Sequence, residues 1–524
     1  MSAHVSRTPD AGVVAGLSFE ALTPTAFLDR AAAVHADRTA VIDGPLRLTY
    51  RELHERCLRQ AGALAALGVR PGDRVAVLAA NTPLLLESHF GVLYAGAVLL
   101  TLNIRLSAEE LRHIVRHSGA RLLIFDPEFA ELAEAVAEPL EDLRAVGPLE
   151  YERLRADAAP HRVPVTDEHA LMALNYTSGT TGHPKGVMYH HRGAYLQALA
   201  MVAHFRLTQE AVYLWTLPMF HCNGWAFPWA VTAVGGVHVC LRGADPHQVW
   251  RLIAAERVTM LCAAPTVLIS LVEAAPASPD GHRVTVAVGG APPSPTLLQG
   301  CARAGFDVTH LYGLTETFGP AAICDWRPEW SALPIGEQAL LRARQGVSNL
   351  VSCAMRVLDA EGRDVPRDGE TIGEVALRGN TVMLGYYRDE EATRAAAPDG
   401  WFRTGDLGVL HPDGYLQLRD RAKDIIVSGG ENISSIEVEA ALASHPAVLE
   451  AAVVGVPDDR WGERPFAFVT LRPGAEATAE ELRAHVRGRI AAFKAPDRFE
   501  FGELPKTSSG KIRKVPLRAR ANAR

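Results

Sequence analysis

The sequence predicts an α/β protein in which a large N-terminal domain, residues 1–420, precedes a small α+β domain, residues 421–524. Three observations support this division. Strand-like and helix-like segments alternate between residue 50 and about residue 312, short β-type runs with turns follow from about 335 to 420, and a new unit begins after Arg419. A chain of 524 residues is also too long for one hydrophobic core.

The first region predicts mostly parallel sheets flanked on both faces by helices. Residues 50–67 have helical periodicity and end at Gly68, and a second helical stretch runs from about Leu84 to Ala95. Short apolar segments, which are typical of buried parallel strands, lie between and after such helices. The strand-like segments are RVAVLA (74–79), LLIF (122–125), LMALN (171–175), VYLWTL (212–217), VHVCL (237–241), TMLCAA (259–264) and VTVAVG (284–289).

The second and third regions differ from the first. From about 335 to 420 the runs MRVLD, GEVALRG and GYLQLRD alternate with Asp-Gly, Glu-Gly and Pro turns. This pattern predicts an antiparallel, β-barrel-like subdomain. Ser434 and Glu437 then have the spacing of a helix capping box, and two strand-like runs and a helical stretch over 478–493 follow. We therefore expect the chain to end in a small α+β domain.

The composition excludes several classes of protein. The formal net charge is −7, which gives no reason to expect a nucleic-acid partner. The seven cysteines lie far apart without a CxxC pair, so neither a disulfide framework nor a structural zinc site is predicted. The N-terminus carries Asp10 and only a short apolar stretch, which is not typical of a signal peptide. We therefore expect a cytoplasmic protein.

One uncharged stretch is long enough to cross a bilayer. Residues 211–241 contain no Asp, Glu, Lys or Arg. Pro218, Pro228 and Gly235–Gly236 interrupt the stretch, and in hydrocarbon such interruptions would leave backbone polar groups without partners. The stretch therefore predicts a buried strand–loop–helix–strand segment and no membrane span.

The first candidate site is YTSGTTGHPKG, residues 176–186. Its glycines, its hydroxyl side chains and Lys185 are typical of a loop that wraps around a polyphosphate. A nucleotide-hydrolase loop, GxxxxGK[ST], is excluded because Pro184 replaces the Gly before the Lys and Gly186 replaces the Ser or Thr. No GxGxxG dinucleotide motif is present. From the loop alone, a solvent-exposed polar turn is the alternative.

Further motifs make the interpretation more specific. TSGTTGHPKG resembles the signature of the adenylate-forming superfamily, and the resemblance to its acyl-CoA synthetase branch continues in order over roughly residues 40–515. The later motifs are PMFHCNGW (218–225), GGAP (289–292), YGLTET (312–317), TGD (404–406), RDRAKDIIVSGGEN (419–432) and PKTSSGK (505–511).

The resemblance implies a ligase reaction in two halves. A carboxylate attacks the α-phosphate of ATP to give an acyl-adenylate and pyrophosphate, and a thiol then displaces AMP. It implies ATP, Mg²⁺ and coenzyme A as the cofactor and co-substrates. It also implies that the small C-terminal domain is mobile and rotates between the two halves about a hinge at Lys423.

The resemblance assigns roles to individual residues. Lys511, Thr315 and Glu316 are implied to be catalytic, and Thr177 and Glu316 to hold Mg²⁺ through oxygen atoms. Tyr312 is implied to stack on adenine, and Asp406 to accept the ribose hydroxyls. The implied ATP/AMP site comprises Thr177, Ser178, Gly179, Thr180, Thr181, Gly182, Lys185, Gly290, Ala291, Pro292, Tyr312, Gly313, Asp406 and Arg421.

Two further sites follow from the same resemblance. Gly429, Gly430 and Glu431 are implied to line a channel for coenzyme A. The segment around His221, Trp225 and Phe318 is implied to form the acyl pocket, although a tryptophan can also be simple core.

The substrate class is the least determined part of the sequence reading. The acyl-pocket segment has no acidic residue that would pair an amino group, which argues against an amino-acid-adenylating domain. We expect a medium-chain or long-chain fatty acid, or another bulky apolar acid. A carrier-protein thiol as acceptor, an enzyme specialised for one half-reaction, and a nucleotide-binding regulator without turnover stay open as alternatives. A homodimer is suggested only by relatives.

Overall fold

A computed structural model describes residues 19–177, 184–276, 281–351, 353–429, 431–458, 460–507 and 511–523. The strands are β1 (Thr39–Asp43), β2 (Leu46–Thr49), β3 (Arg74–Leu78), β4 (Val98–Thr101), β5 (Leu122–Phe125), β6 (Arg144–Val146), β7 (Leu171–Thr177), β8 (Lys185–His190), β9 (Val212–Leu214), β10 (Val237–Val239), β11 (Met260–Ala263), β12 (Val284–Val288), β13 (Phe306–Leu314), β14 (Gly319–Ile323), β15 (Val347–Ser348), β16 (Cys353–Leu358), β17 (Gly373–Gly379), β18 (Phe402–Leu410), β19 (Leu416–Arg421), β20 (Ile426–Ser428), β21 (Glu431–Ile433), β22 (Val448–Asp458), β23 (Gly462–Leu471) and β24 (Arg498–Phe501). The helices are α1 (Thr25–Val34), α2 (Tyr50–Ala66), α3 (Pro83–Tyr94), α4 (Ala108–Ser118), α5 (Ala130–Ala137), α6 (Pro148–Asp157), α7 (His191–His204), α8 (Cys222–Trp225), α9 (Phe227–Ala233), α10 (Pro246–Ala255), α11 (Pro265–Glu273), α12 (Pro295–Arg303), α13 (Ile335–Arg342), α14 (Glu390–Ala396), α15 (Ser435–Ala443), α16 (Ala479–Arg487) and α17 (Lys514–Asn522).

The first of two mostly parallel sheets has six strands in the order β6-β5-β3-β4-β7-β8. Its first five strands are parallel, and β8 pairs antiparallel with β7. β3, β4 and β5 consist almost entirely of buried apolar residues, as expected for strands covered on both faces. Parallel strands place their carboxyl ends at one edge of the sheet, and this edge faces the candidate site.

The second sheet has nine strands in the order β15-β14-β13-β12-β11-β9-β10-β1-β2. The six central strands are parallel, and antiparallel strands close both ends. The uncharged residues 211–241 form β9, α8, α9 and β10 within this sheet and its covering layer, and they are largely buried. Among the described residues, no helix has the length and apolar character needed to cross a membrane.

The β-rich part begins later than the sequence predicts. β16, β17, β18 and β19 form an antiparallel four-stranded sheet over residues 353–421. Before it, residues 335–342 form α13, and β15 joins the nine-stranded sheet. The prediction of β structure from about residue 335 is therefore wrong for this segment, since IGEQALLR consists mostly of strong helix formers.

The C-terminal region has its own sheet and hydrophobic core. β20 to β23 pair antiparallel, β24 adds parallel to β23, and helices α15, α16 and α17 accompany them. Ser434 caps α15 by accepting a hydrogen bond from the backbone N–H of Glu437, which is one half of the predicted capping box. The other half does not form, because the Glu437 carboxylate accepts from the ammonium of Lys494. Thr478 and Glu481 form a complete capping box at the start of α16.

The sequence around the phosphate-type loop predicts that the strand LMALN runs into the loop and that a helix begins after it at about His191. The helix α7 does begin at His191, but the strand β8, which the sequence does not predict, lies between the loop and α7. Thr177 pairs with Lys185 at the loop end of the β7–β8 hairpin. The loop therefore joins two antiparallel strands, and the N-terminus of α7 does not adjoin it.

Candidate active site

Lys511 lies at the carboxyl edge of the nine-stranded sheet, and its backbone is hydrogen-bonded to Thr507. The N–H of Thr507 donates to the carbonyl of Lys511 at 2.6 Å, and the N–H of Lys511 donates to Oγ1 of Thr507 at 3.0 Å. Lys506 and Ile512 pair as an antiparallel bridge just outside these bonds. These contacts between residues 506–507 and 511–512 fix the backbone from which the Lys511 side chain projects.

The Lys511 side chain lies directly over Gly290, the first residue after β12 and Gly289. A Cβ placed on Gly290 would be only 3.1 Å from Cε of Lys511, so glycine is needed for this approach. Burial lowers the pKa of Lys511, and the nearby Arg421 guanidinium lowers it further, whereas Asp406 and Glu316 act in the opposite direction. Two cations therefore share this part of the cleft.

The predicted nucleotide-binding residues form one hydrogen-bonded group. The hydroxyl of Tyr312 donates to Oδ2 of Asp406 at 2.7 Å, and Nε of Arg421 lies 3.1 Å from Oδ1 of the same carboxylate. Asp406 and Arg421 are register partners on β18 and β19. Each carboxylate oxygen keeps a second lone pair, so the group can still accept hydroxyl donors from a ligand.

The remaining adenine-motif residues lie beside this group. Gly290 and Ala291 are exposed and Pro292 is half-buried, so they form an open wall of the cleft. Gly313 has a packing reason to be glycine, because a Cβ there would be 1.9 Å from the carbonyl oxygen of Gly319. β13 and β14 can therefore pair closely where the chain turns into Thr315–Thr317.

Glu316 is held at the same cleft by a tyrosine that the sequence analysis did not identify. The hydroxyl of Tyr386 donates to Oε1 of Glu316 at 2.9 Å, and the ammonium of Lys185 lies 4.7 Å from the centre of the Tyr386 ring. Tyr386 also forms an isolated β-bridge with Val187 on β8. It therefore couples the phosphate-loop hairpin to Glu316, although Tyr386 is 70 residues from Glu316 in the sequence and much farther from the hairpin.

The oxygen donors at this place are suitable for Mg²⁺. A threonine hydroxyl and a carboxylate are hard oxygen ligands, and protein-bound Mg²⁺ commonly takes one or two such ligands plus phosphate oxygens. Thr177 ends β7, and Glu316 is half-buried with one oxygen on Tyr386. Within the described ranges, no group of three or more His, Cys, Asp or Glu side chains is placed to hold a metal ion.

The loop itself falls partly outside the described residues. Thr177 and Lys185 are described and face each other across the hairpin. Five of the predicted ligands lie outside the described residues: Ser178, Gly179, Thr180, Thr181 and Gly182.

The acyl-pocket segment has an unusual backbone. Five consecutive residues from Cys222 to Ala226 have φ values between 47° and 64°, the left-handed region. Four of the five are not glycine, and left-handed backbone is costly for such residues. The fifth, Gly224, packs so closely on Trp215 that a Cβ would be 2.7 Å from Cζ3 of that ring.

The left-handed turn places the Trp225 ring in a slot between two glycines. A Cβ on Gly289 would be 2.8 Å from Cη2 of Trp225, and a Cβ on Gly319 would be 2.9 Å from its Cδ1. Only 7% of the Trp225 surface is exposed. The ring therefore fills the space between the end of β12 and the start of β14.

Neighbouring side chains complete an apolar, neutral surround. Phe318 is fully buried and stacks on Tyr189 with ring centres 4.0 Å apart. Burial and the charge of Lys511 lower the pKa of His221 to about 4, so its imidazole is neutral near pH 7. The thiol of Cys222 donates to Oγ1 of Thr315 at 3.6 Å, which links the acyl turn to the YGLTET segment.

The predicted hinge and thiol-channel residues lie together in the C-terminal region. Gly429 has φ of 62°, and a Cβ there would be 2.8 Å from Cε3 of Trp461. Glu431 pairs with Ser428 in the β20–β21 hairpin, and Gly430 lies outside the described residues. The carbonyl of Lys423 accepts a hydrogen bond from Arg518 at 3.1 Å. In this arrangement Lys511, and not the Gly429 turn, occupies the cleft beside Gly290.

Sequence reasoning missed several residues that shape the cleft. Tyr386 and Tyr189 come from segments without a recognisable pattern, and only the fold brings them to Glu316 and Thr315. Gly319 carries no signal either, since a single Gly after an aromatic residue is common. Cys222 could have been found, because it lies within the quoted acyl-pocket motif next to His221.

Comparison with known proteins agrees with this geometry. The family model described as AMP-binding enzyme matches residues 28–387, and that described as AMP-binding enzyme C-terminal domain matches residues 437–511. The peroxisomal acetate/butyrate–CoA ligase AAE7 of Arabidopsis thaliana is 44% identical over 541 residues, covering 96% of this chain and 95% of that protein. The peroxisomal trans-cinnamate:CoA ligase of Petunia hybrida is 42% identical over 545 residues, covering 97% and 95%.

A solved structure extends the comparison to bound ligands. The o-succinylbenzoate coenzyme A synthetase of Bacillus subtilis, solved with ATP and a magnesium ion, matches with a TM-score of 0.81 at 31% identity. The match covers 94% of this chain and 98% of that one. The likeness therefore extends over both the large and the small region.

The chain belongs to the AMP-binding enzyme family, the adenylate-forming superfamily that its motifs resemble. It is an acid–thiol ligase that uses ATP with Mg²⁺ and coenzyme A. The predicted α/β architecture with a large N-terminal and a small C-terminal domain is confirmed. The cytoplasmic location, the homodimer, the carrier-protein acceptor and the domain boundary at residue 420 stay predictions.

Proposed function

We propose that the protein is an AMP-forming acyl-CoA synthetase for a short-chain carboxylic acid. The observation that carries the choice of acid is the Trp225 ring in its slot between Gly289 and Gly319. In our proposal a longer acyl chain would extend from the reaction centre into the space that this ring occupies. The short-acid proposal replaces our expectation of a medium-chain or long-chain acid.

The relatives support a short acid without deciding the question. One relative is named for acetate and butyrate and another for trans-cinnamate, yet their identities to this chain differ by only 2 percentage points, 44% against 42%. Overall identity therefore does not distinguish the two classes of acid. Because Trp225 fills the slot, the pocket favours short aliphatic acids. A planar aromatic acid, like a long aliphatic one, needs space in the pocket beyond its carboxylate.

The first half-reaction joins two anions, so the cleft must supply positive charge and alignment. In our proposal Lys511 and Arg421 supply that charge beside Gly290, and Lys511 stabilises the charge that develops on the α-phosphate. Mg²⁺, held by Thr177 and Glu316, would supply further positive charge to the phosphates. Tyr386 orients Glu316 for this role through its hydroxyl.

The adenosine part of ATP would bind along the Tyr312–Asp406–Arg421 group. Asp406 would accept the ribose hydroxyls, and its bond to Tyr312 fixes the ring that stacks on adenine. The exposed Gly290 and Ala291, with Pro292, would form the opposite wall of the adenine site. Thr315 would contact the α-phosphate, and the Tyr189 hydroxyl holds its carbonyl at 2.6 Å.

The second half-reaction needs Lys511 to leave, because a thiol must reach the acyl carbon. The small domain would rotate about Lys423 and bring Gly429, Gly430 and Glu431 toward the cleft. Separate sheets and cores in the two regions are consistent with a rigid-body movement. Coenzyme A is the proposed acceptor, and a carrier-protein thiol is the alternative.

The decisive experiment measures AMP release that depends on coenzyme A over a panel of acids. The panel contains acetate, propanoate, butanoate, 2-methylpropanoate, hexanoate, decanoate, benzoate and cinnamate. We expect the highest kcat/KM with an acid of two to four carbons and a steep fall by hexanoate, by about tenfold or more per added methylene at the limit of the pocket. A maximum at decanoate or cinnamate would contradict the short-acid proposal, and no AMP with any acid would contradict the ligase proposal.

A further inference from the structure

The left-handed turn that carries Trp225 needs an external support. Each of its four non-glycine residues, among them Asn223 and Ala226, lies in a region that L-residues avoid. Residues in such conformations persist only where the surrounding structure determines them. The question is which contacts hold this turn.

The support comes from the other sheet. Nδ2 of Asn175, on β7, donates to Oδ1 of Asn223 at 2.6 Å, and both side chains are buried, with 3% and 0% exposure. Thr101, the last residue of β4, lies 3.3 Å from Oδ1 of Asn175 through its Oγ1 and 3.0 Å from the carbonyl of Phe220. The Asn175–Asn223 amide pair thus links the six-stranded sheet to the left-handed turn, which lies between β9 and β10 of the nine-stranded sheet.

A second buried asparagine fixes the chain that leads into the turn. Nδ2 of Asn81, just after β3, donates to the carbonyls of Trp215 and Leu217 at 2.8 and 3.0 Å, and its Oδ1 accepts from the N–H of Met219 at 2.7 Å. These bonds hold the approach segment, whereas the Asn175 bond reaches the Asn223 side chain of the turn itself, and Thr315 reaches the Cys222 side chain from the nine-stranded sheet. The amide pair therefore joins the turn that carries Trp225 directly to β7 of the six-stranded sheet.

The hydrogen bonding of Asn223 is incomplete. Its Nδ2 has no hydrogen-bond partner in the part of the chain that the structure describes, although it is fully buried. An unpaired buried polar atom is unfavourable for stability. The role of Asn223 is therefore the hydrogen bond to Asn175, which fixes the backbone that carries Trp225.

We propose that Asn175 and Asn223 are positioning residues that set the length of acid the enzyme accepts. By holding residues 222–226 left-handed they seat the Trp225 ring between Gly289 and Gly319. When the pair is lost, the turn relaxes toward ordinary backbone, and the ring leaves its slot. The acyl pocket then has more space for longer acids, and short acids lose their close contact with the Trp225 ring. This inference rests on the proposed short-acid function.

The test uses Asn175→Ala, Asn223→Ala and the double variant, with kcat/KM measured for butanoate and hexanoate. Asn175→Ala is the sharper variant, because it removes the amide partner on β7 and leaves every residue of the strained turn unchanged. In each single variant we expect the hexanoate-to-butanoate ratio to rise about tenfold, with the KM for butanoate raised and the KM for ATP unchanged. The double variant should change the ratio no more than either single one.

Gln60→Ala is the matched control. Gln60 is a fully buried amide that donates to Oγ of Ser88 at 2.9 Å, away from the acyl turn, so its loss lowers stability without touching Trp225. It should leave the hexanoate-to-butanoate ratio as in the native enzyme. In Asn175→Asp the carboxylate can accept a hydrogen bond from Nδ2 of Asn223 once the Asn223 amide has flipped. This variant should therefore restore part of the native preference for butanoate over hexanoate.

The outcomes separate the inference from the proposed function. If the native enzyme forms no AMP from any acid in the presence of coenzyme A, the proposed function fails, and the inference fails with it. If the native enzyme prefers butanoate and a folded Asn175→Ala variant keeps the same ratio, the inference alone is overturned. An equal loss of kcat/KM on both acids, with the ratio unchanged, also overturns it.

Discussion

The acyl end and the nucleotide end of the cleft are built in opposite ways. At the acyl end Trp225 is 7% exposed and is fixed by strained backbone, two glycines and the buried Asn175–Asn223 pair. At the nucleotide end the side chain of Arg421 is 42% exposed, and Lys511 belongs to the small C-terminal region. In our proposal, substrate choice is therefore set by a buried interior that changes only by repacking, whereas the positive charges at the phosphates come from residues that would leave the cleft when the small domain rotates.

The largest expected effect tests the nucleotide end. Lys511→Ala should lower the rate of acyl-adenylate formation by about 10²–10³-fold, because it removes a cation from the position where charge develops on the phosphoryl group. Acid-dependent exchange of pyrophosphate into ATP measures this half-reaction without coenzyme A. The acid preference should not change, since Trp225 stays seated.

Lys506→Ala is the matched control for this variant. Lys506 stands five residues earlier on the same segment, and its ammonium lies 2.8 Å from Oε2 of Glu450, outside the cleft. Lys506→Ala removes the same charge as Lys511→Ala but outside the cleft. The rate of pyrophosphate exchange should therefore equal that of the native enzyme. A drop as large as that of Lys511→Ala would show that the segment needs positive charge in general and not at one atom.

The next effect tests the acyl end. Trp225→Gly empties the slot between Gly289 and Gly319, so hexanoate should gain about 10–200-fold in kcat/KM relative to butanoate. The KM for ATP should stay close to the native value, because Tyr312 and Asp406 are untouched. Measurement of kcat/KM on both acids gives the ratio directly.

Trp250→Ala controls for the loss of a large aromatic side chain. Trp250 stacks on Phe306 with ring centres 5.0 Å apart, on helix α10, and does not adjoin the slot. It should lower the melting temperature and leave the acid ratio unchanged. A ratio that rises in both variants would mean that general loosening, and not the slot, widens the pocket.

A smaller effect tests the grip on ATP. Asp406→Asn weakens the bonds to Tyr312 and Arg421, and the KM for ATP should rise about tenfold to a hundredfold while the KM for the acid changes little. Asp364→Asn, which breaks an exposed ion pair with Arg356 on β16, is the control and should leave both constants unchanged. Equal rises in the two KM values would contradict a role confined to the nucleotide.

The two ends also differ in how far the sequence could predict them. The strands β3, β5, β7 and β12 follow directly from apolar runs bounded by turns, and the residues of the nucleotide end lie in motifs that resemblance identifies one by one. The acyl end resisted prediction because its shape depends on contacts between distant segments. Asn175 and Asn223 are 48 residues apart, and Gly289 and Gly319 meet Trp225 only after the nine-stranded sheet has formed. The left-handed backbone of 222–226 has no sequence signal, since only one of its five residues is glycine.

The smallest effect concerns the pH at which the nucleotide end stops working. Burial and Arg421 lower the pKa of Lys511 below the value of about 10.4 for free lysine, against the opposing charges of Asp406 and Glu316. Only the protonated amine can stabilise the phosphoryl charge, so pyrophosphate exchange should fall as pH rises through this lowered pKa, earlier than for an exposed lysine. Lys511→Arg, whose guanidinium stays protonated, should move the alkaline limit to higher pH even where its rate is lower. His221 should add no inflection near pH 6.5, because its pKa is lowered to about 4. An unchanged alkaline limit in Lys511→Arg would assign the titration to a group other than Lys511, and the rate would then depend on this lysine's position more than on its charge.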